Sequence, residues 1–264
     1  MDSRIDKYLN TNIKDIINEF NSVQSELDKF EIGCAPCNLG TCKLKDVVEI
    51  HNLNAENEKK LITNIFNIIY PNETFEIPRI GKDQKASTSV SLSPPLKMLV
   101  EEHVLIKRVL ALIPKITETL NLKLAEHKEL VLNIADFIRN YADKYHHSKE
   151  EDILFKGFES TLEIINVMYC DHIQSRKYVV DMVKAVEKTN TELANKNLLN
   201  YFNLLSEHIQ KEDNILYPWL NRNLETKQVG EIYSQFLKIN NERPEIQPKY
   251  ESLTNKLESL YLQK

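Results

Sequence analysis

The chain has 264 residues, a formal net charge of −5 and only five glycines. Glycine makes up about 7% of an average protein and supplies tight turns, β-bulges and phosphate-binding loops. This composition therefore argues against a β-sandwich, a β-barrel and a dinucleotide-binding fold. Because 34 Lys and Arg stand against 39 Asp and Glu, we expect no nucleic acid and no anionic membrane as a partner.

Residues 1–80 predict a small helical domain that carries a cluster of cysteines. Apolar residues follow helical spacing over 5–27 and again over 61–70. The N-terminus is polar, unlike a signal peptide, and no segment reaches the roughly 18 apolar residues of a membrane-spanning helix. We therefore expect a soluble cytoplasmic protein. The cysteines of this domain are Cys34, Cys37 and Cys42.

Three thiols in a Cys-x2-Cys-x4-Cys pattern can serve three purposes. Zinc or an iron–sulfur cluster normally takes four ligands, so His51 or a second copy of the chain would supply the fourth. The Cys-Ala-Pro-Cys string at 34–37 also resembles redox-active dithiols, and cycling between thiol and disulfide is a second reading. Unlinked thiols near a turn are the third. We favour a metal ion or cluster as the second site of the chain.

Residues 81–95 predict a linker, because they are rich in serine, lack helical periodicity and end in two prolines. Beyond them the pattern is helical throughout, and residues 221–264 form a C-terminal helical tail. The fold class is therefore all-α, with an antiparallel four-helix bundle over residues 96–220. Its four helices are predicted at 96–113, with a break or kink at Pro114, and at 124–156, 161–188 and 191–217.

Each helix of the predicted bundle presents one histidine on its apolar face. Two of these histidines are followed one turn later by a glutamate on the same face. The two segments that carry these pairs align without a gap, and the other two histidine segments align loosely, so the bundle resembles a duplicated helical hairpin. The six residues are His103, His146, Glu150, His172, His208 and Glu212.

Four histidines and two glutamates that converge in a bundle core predict a site for two metal ions. A buried carboxylate is costly unless it is paired or bound to metal, and no Lys or Arg is spaced beside either glutamate on its inner face. Imidazole and carboxylate together suit iron, manganese or zinc. Carboxylate-bridged metal pairs in helical bundles favour two iron ions.

Three further residues near this set are given other roles. His147 shares its face with Arg139, so we expect it on the solvent side of the helix. His127 lies too far along its helix to share the site and is expected in the core or at the helix end. Asp213 is an alternative to Glu212, which we prefer.

These motifs resemble the hemerythrin-like (HHE cation-binding) family over about residues 96–220. The resemblance rests on the six residues above, with the second glutamate followed by Leu216-Tyr217-Pro218. It implies a four-helix bundle around a non-haem di-iron centre in which these residues bind iron and the glutamates bridge the two ions. Oxygen-carrying hemerythrins have a fifth histidine one turn after the third-helix one, where this chain has Arg176.

The ligand pattern most resembles that of the iron–sulfur-cluster repair di-iron proteins, which also carry a cysteine-bearing N-terminal domain. Their cysteines are an adjacent pair, whereas those of this chain are spaced. The resemblance implies a stress protein that supplies iron or electrons to damaged iron–sulfur proteins. Two alternatives are a carrier or sensor of O₂ or NO without turnover, and a di-iron peroxidase or reductase fed by a cysteine-bound metal centre. O₂, NO or peroxide are the expected small ligands, and iron–sulfur proteins or a second copy of the chain the expected partners.

Overall fold

The computed structural model describes residues 2–30, 32, 42–51, 53–73, 75–80, 91–158 and 163–262. Over these residues the chain is helical and contains no strand, with one isolated bridge between Asn12 and Lys43. The predicted all-α class is confirmed. Two units form, one from residues 1–91 with 161–167 and the other from residues 92–160 with 168–264. No helix within the described part of the chain is both long enough and apolar enough to cross a bilayer.

Within its described residues up to Ile80, the first unit has five helices around its own apolar core. The buried residues of this core include Ile16, Leu27, Leu61 and Ile65. Where the sequence shows one helical period over 5–27, the structure has three short helices. The five helices are α1 (Ser3–Leu9), α2 (Ile13–Glu19), α3 (Ser22–Asp28), α4 (Leu44–Ile50) and α5 (Ala55–Ile69).

Helix α1 ends at Leu9, where side chains that follow it form hydrogen bonds with its carbonyl groups. Asn10 Nδ2 donates to the carbonyl of Asp6 at 2.8 Å, and the Thr11 hydroxyl donates to the carbonyl of Lys7 at 2.8 Å. Such local hydrogen bonds favour turns over a continued helix. The backbone then pairs with the segment that follows the cysteines, because the Ile13 amide donates to the Cys42 carbonyl at 2.8 Å.

The second unit consists of long helices joined by short connections. Three stretches within them are wound as π-helix, at Ile138–His147, Glu150–Leu154 and Glu212–Leu216, and Phe155–Gly157 forms a 3₁₀ turn. The α-helices are α6 (Pro94–Thr119), α7 (Ala125–Phe137), α8 (Glu163–Glu187, of which residues 168–187 belong to this unit), α9 (Thr191–Lys211), α10 (Tyr217–Asn223), α11 (Thr226–Glu242) and α12 (Ile246–Tyr261).

The first bundle helix does not end where the sequence predicts. Helix α6 continues through Pro114 to Thr119, so the predicted end at residue 113 is wrong. A proline in a helix interior costs about 3 kcal/mol. Ile113 and Ile116, both 0% exposed, lie in the core on either side of it, and burying such a side chain contributes about 1.5–3 kcal/mol. Packing therefore offsets the cost of the proline.

The C-terminal helices belong to the second unit and cover its bundle. Helix α12 packs against α6 and the first π-helix, and α11 packs against α6 and the second. Tyr250 and Leu257 of α12 are buried in the same apolar core as α6 and α7. The Arg108 guanidinium binds Glu258 at 2.7 Å and 2.9 Å, which fixes α12 along α6.

Candidate metal centre

The structure brings all six predicted ligand residues together inside the second unit. Each of them is no more than 1% exposed. They reach the interior from α6, α8, α9 and the π-helical stretches, which supply three of the six. π-Helical turns within α-helices are frequently found at functional sites. The residues and their supports are His103 on α6, His172 on α8, His208 on α9, and His146, Glu150 and Glu212 on the π-helices.

Four residues form a first group of potential ligands, which lies between α6 and the π-helices. It comprises His103, His146, Glu150 and Glu212, whose potential ligand atoms all lie within 4.8 Å of one another. His103 Nε2 lies 2.9 Å from His146 Nε2 and 3.3 Å from Glu212 Oε2. His146 Nε2 lies 3.6 Å from Glu150 Oε2.

A second group of four lies beside the first and shares Glu150 with it. His147, His172 and His208 complete this group. His172 Nε2 lies 3.0 Å from His208 Nε2 and 3.6 Å from Glu150 Oε2. Glu212 also reaches it, with Oε1 3.1 Å from His208 Nε2. Both glutamates therefore lie between the two groups, where a carboxylate can bridge two ions.

The expectation that His147 faces solvent is wrong. Its side chain is 2% exposed, and its ring stacks on that of His172 at 3.8 Å with an interplanar angle of 14°. The expectation assumed 3.6 residues per turn, but His147 ends the π-helix Ile138–His147. A π-helix has more residues per turn, so the faces read from an α-helical period shift. His146 and His147 thus both reach the interior.

The four predicted histidines are each held by a carboxylate at the ring nitrogen that points away from the centre. A carboxylate accepts from Nδ1–H, which fixes the tautomer and leaves the Nε2 lone pair facing inward. This is the arrangement found around metal-bound imidazoles. The four bonds join His103 to Asp213 (2.7 Å), His146 to Glu102 (3.0 Å), His172 to Glu151 (2.6 Å) and His208 to Asp171 (3.2 Å).

A cation lies behind each of these four outer carboxylates. Each pair is formally neutral, so the outer layer leaves the charges of Glu150 and Glu212 uncompensated. Lys149 is the most enclosed of the four cations, with a side chain 0% exposed. The pairs are Lys107 with Asp213 (2.5 Å), Arg176 with Glu151 (2.7 Å), Lys211 with Asp171 (2.7 Å) and Lys149 with Glu102.

The outer layer repeats the duplication seen in the ligands. In each half an acidic residue precedes the first histidine, a cation follows that histidine one turn later, a lysine precedes the glutamate and an acidic residue follows it. Apart from Asp213, which was considered as a ligand, none of these residues was predicted from the sequence to have a role at the centre, although the alignment of the two halves contains them. The first half supplies Glu102, Lys107, Lys149 and Glu151, and the second supplies Asp171, Arg176, Lys211 and Asp213.

Some hydrogen bonds of the outer layer join two residues of the same half of the bundle, and others join residues of different halves. Glu102 holds His146 of its own half, whereas Glu151 holds His172 of the other half. Asp213 likewise crosses to His103. Asp213 belongs to neither group of potential ligands, so its position is that of an orienting residue and not of an alternative to Glu212.

The protonation of the two glutamates differs because their neighbours differ. Burial raises the pKa of Glu150 well above its ordinary value, and the adjacent Glu212 adds to the rise. Burial opposes the charge of Glu212 too, but His208 and His103 outweigh it and hold the pKa of that carboxyl well below its usual range. For His208, burial is outweighed by Glu212 and Asp171, and its pKa rises to about 9. Without a cation, these environments favour the neutral form of Glu150 and the protonated form of His208.

The residues present fit a pair of divalent cations. Glu150 Oε2 and both carboxylate oxygens of Glu212 are buried without a well-directed hydrogen bond, a situation that costs about 1–3 kcal/mol per group. The two Nε2···Nε2 contacts bring the inner nitrogens of facing imidazoles to 2.9 and 3.0 Å. A cation shared by these nitrogens and the buried carboxylate oxygens would satisfy those oxygens and give each pair of nitrogens a common partner.

The other sequence candidates lie elsewhere. His127 Nδ1 accepts from the Asn121 amide at 2.9 Å, at the beginning of α7, which is a helix-end role. Burial lowers the pKa of His51 in the first unit to about 4. Cys42 is half-buried. Residues 33–41 lie outside the described part of the chain, so a site formed by Cys34, Cys37 and Cys42 stays a prediction.

Residues 95–220 match the family model described as the hemerythrin HHE cation binding domain. This range contains every residue of both ligand groups and agrees with the range expected from the motifs. No curated protein and no solved structure was found to match the chain. The resemblance to repair proteins therefore stays a prediction.

Proposed function

Because residues 95–220 form a hemerythrin HHE cation-binding domain, we propose that they hold two iron ions that react with O₂, NO or peroxide in an oxidative or nitrosative stress response. The observation that carries the proposal is the pair of Nε2···Nε2 contacts, each flanked by both glutamates. Two ions placed at those contacts would share Glu150 and Glu212. The ligand set of imidazole and carboxylate suits redox-active iron.

We assign one ion to His103 and His146 and the other to His147, His172 and His208. His147 gives the second ion a third imidazole. In oxygen-carrying hemerythrins a fifth histidine comes from the helix that here carries Arg176. In this chain Arg176 binds Asp143 and Glu151, both at 2.7 Å, and so takes part in the outer layer.

Bound iron would supply the electron exchange with the small ligand, and the protein would supply position and environment. The outer carboxylates accept from the Nδ1–H groups, so each imidazole can offer its Nε2 lone pair to a bound metal ion. The Tyr217 hydroxyl donates to Glu150 Oε1, and the Tyr217 ring stacks on His103 at 5.7 Å with an interplanar angle of 11°. Tyr217 therefore fixes a shared carboxylate and one imidazole together. Leu205 and Ile209, on the same helix as His208, are 0% and 2% exposed and belong to the apolar core of this unit.

The test is anaerobic loading with Fe²⁺ followed by exposure to each small ligand. We expect two iron ions per chain and an absorption change with at least one of O₂, NO and peroxide. His146→Ala and His208→Ala should each lose iron, whereas the control His127→Ala should keep both ions. Unchanged iron content in the first two variants would overturn the ligand assignment.

Within the stress response, we propose repair of iron–sulfur proteins, with Cys34, Cys37 and Cys42 contacting the client or binding zinc or a cluster. The motif resemblance and the spacing of the thiols support this proposal. Measured zinc, iron and acid-labile sulfide would identify what the thiols bind. A Cys34→Ser variant that restores a damaged iron–sulfur enzyme as fast as the native chain would count against repair.

Turnover separates the two remaining functions. A carrier or sensor of O₂ or NO would bind its ligand reversibly and consume no reductant. A peroxidase or reductase would consume reductant in proportion to the ligand. Two irons per chain without sulfide would exclude the version in which a cysteine-bound cluster feeds the di-iron site.

A further inference from the structure

Three tyrosine rings of the second unit lie in succession, from the residue beside His146 to the exposed side chains of Asp136 and Lys249. Tyr145 precedes the ligand His146, and Tyr141 lies about one turn earlier on the same π-helix. Their ring centroids are 5.5 Å apart, and Tyr141 lies 5.9 Å from Tyr250 of α12. All three rings are at most 5% exposed. Aromatic rings at this spacing are close enough for an electron to pass between them.

The inner end of the line is connected to the centre through two side chains. Lys149 Nζ lies 3.6 Å from the ring centroid of Tyr145. The same ammonium group binds Glu102, which holds His146 Nδ1 at 3.0 Å. Contacts of van der Waals or hydrogen-bond length thus run without a gap from His146 to Tyr145.

The outer end has a proton acceptor in contact with water. The Tyr250 hydroxyl donates to Asp136 Oδ2 at 2.9 Å and accepts from Lys249 Nζ at 3.0 Å. The side chains of Asp136 and Lys249 are 46% and 56% exposed. A phenol that can give its proton to a carboxylate as it loses an electron avoids forming a cationic ring. Tyr250 is therefore the tyrosine of the three from which an electron is most easily removed.

The charges along the line favour movement of an oxidising equivalent outward. A cation over an aromatic ring is attracted by the ring electrons, so Lys149 makes an electron harder to remove from Tyr145. Lys249, in contrast, donates a hydrogen bond to the hydroxyl oxygen of Tyr250 as well as lying near its ring. This hydrogen bond remains after the Tyr250 proton has moved to Asp136. A tyrosine radical is thus less stable at Tyr145 than at Tyr250.

On the basis of the proposed iron centre, we propose that Tyr145, Tyr141 and Tyr250 carry single electrons from the surface to that centre when hydrogen peroxide is reduced there. Peroxide takes two electrons and two protons to give two waters. One of these electrons would come from iron bound at the centre in the half-oxidised state, which would then be fully ferric. Tyr250 supplies the other electron through Tyr141 and Tyr145, gives its proton to Asp136 and becomes a neutral radical, while solvent supplies the two protons to peroxide.

A reductant in solution then reduces the radical at Tyr250. Ascorbate supplies one electron, and Asp136 returns the proton, so the tyrosine is restored and the line is ready again. The outer end of the path lies on α12, beyond the residues 95–220 that match the family domain. The path is therefore a feature of this chain and not of the HHE domain alone.

The experiment uses the full chain loaded with two iron ions and brought to the half-oxidised state with one equivalent of a one-electron oxidant. One equivalent of hydrogen peroxide is added, and the sample is frozen for electron paramagnetic resonance. Ring-deuterated tyrosine identifies a phenoxyl signal by its altered hyperfine pattern. Iron content and iron oxidation are measured on the same samples.

We expect a tyrosine radical that is lost on adding ascorbate. Tyr250→Phe and Tyr145→Phe should lose the long-lived radical, and Asp136→Asn should lower its yield although all three rings remain. Tyr261→Phe, at the far end of the same helix, should keep it. Oxidation of the iron without a tyrosine radical, or an unchanged signal in Tyr250→Phe, would overturn the path. Failure of the chain to bind two irons would instead refute the proposed centre, and the path with it.

Discussion

At the scale of single residues, the centre is organised by partners that the ligands do not reveal. Each predicted histidine has a carboxylate behind it, and each carboxylate has a cation. Such partners set the basicity and direction of a ligating imidazole, and their loss typically costs about 10–100-fold in metal affinity. The sequence singled out six candidate ligands because two i,i+4 pairs and an internal repeat are unusual. It did not identify the outer layer, because single charged residues are common on any helix.

His147 provides the sharpest test of the ligand set. Its counterpart in the other half is Ile209, so His147→Ile makes the two halves alike. We expect the variant to fold. Its affinity for one of the two ions should fall more than about tenfold, because a direct ligand is lost. Isothermal titration with Co²⁺ under anaerobic conditions would measure both affinities. His127→Ile serves as the control, and equal affinities in His147→Ile and the native chain would contradict the role.

Lys149 is the residue whose loss should most affect folding of the metal-free chain. It is 0% exposed and pairs with Glu102, also buried. Removing one member of a buried ion pair costs about 3–5 kcal/mol because the other charge remains. Lys149→Met should therefore lower the free energy of unfolding by about that amount in urea, and Glu102→Gln in the same chain should restore part of it.

The corresponding change in the other half gives the comparison. Lys211 pairs with Asp171 but is 17% exposed, so water can replace part of the interaction. Lys211→Met should therefore be the milder variant. A loss in Lys211→Met as large as that in Lys149→Met would show that burial does not set the cost.

Metal binding by the centre should depend on pH. Glu212 and Asp171 raise the pKa of His208 to about 9 against its burial, and a protonated imidazole cannot bind a metal ion. Because the ion must displace that proton, the apparent affinity should increase as the pH rises from about 6 towards about 9. Competition with a chromophoric chelator at several pH values would measure it. Constant affinity over that range would show that His208 is already neutral in the metal-free chain.

At the scale of secondary-structure elements, a regular helical period predicts the inner faces of α6, α8 and α9 and of most of the π-helices, but it misplaces His147. His103, His172 and His208 all lie on the predicted inner face. His147 does not, because π-helical winding over Ile138–His147 shifts the register. The π-helical winding is not visible in the residue types. It is a property of how the metal-binding segment packs, which a single-sequence period cannot supply.

Pro114 offers a test of packing against local propensity. It lies within α6 between Ile113 and Ile116, both buried. Pro114→Ala should stabilise the chain, because a helix interior favours alanine by up to about 3 kcal/mol, less about 0.4–1 kcal/mol from the more flexible unfolded chain. The urea midpoint should therefore rise. A fall would mean that the proline ring makes packing contacts that alanine cannot replace.

At the scale of the whole molecule, the C-terminal helices complete the metal-binding unit. The sequence predicted residues 221–264 as a helical tail, without indicating that it is part of the core. In the structure Phe236 and Tyr250 are 0% exposed, and Leu257 is 4% exposed. The amphipathic pattern of α11 and α12 could not show which surface they cover, because partner and register are tertiary properties.

Truncation after Asn223 should consequently unfold the bundle or make it aggregate. Burial of three large side chains contributes about 1.5–3 kcal/mol each, a sum comparable with the whole stability of a domain, about 5–15 kcal/mol. Circular dichroism and size-exclusion chromatography would measure the loss, with truncation after Leu262 as the control. A folded, iron-binding 1–223 fragment would show that the tail is dispensable.

The crosswise hydrogen bonds of the outer layer have a consequence for how the centre came to be and how it forms. Glu151 of the first hairpin orients His172 of the second, and Asp213 of the second orients His103 of the first. Reciprocal contacts of this kind are what two identical chains make across a two-fold axis. The domain thus has the internal symmetry of a homodimer joined into one polypeptide. Neither hairpin can orient its own first histidine alone, so both must be in place before either half can bind a metal ion with its full strength.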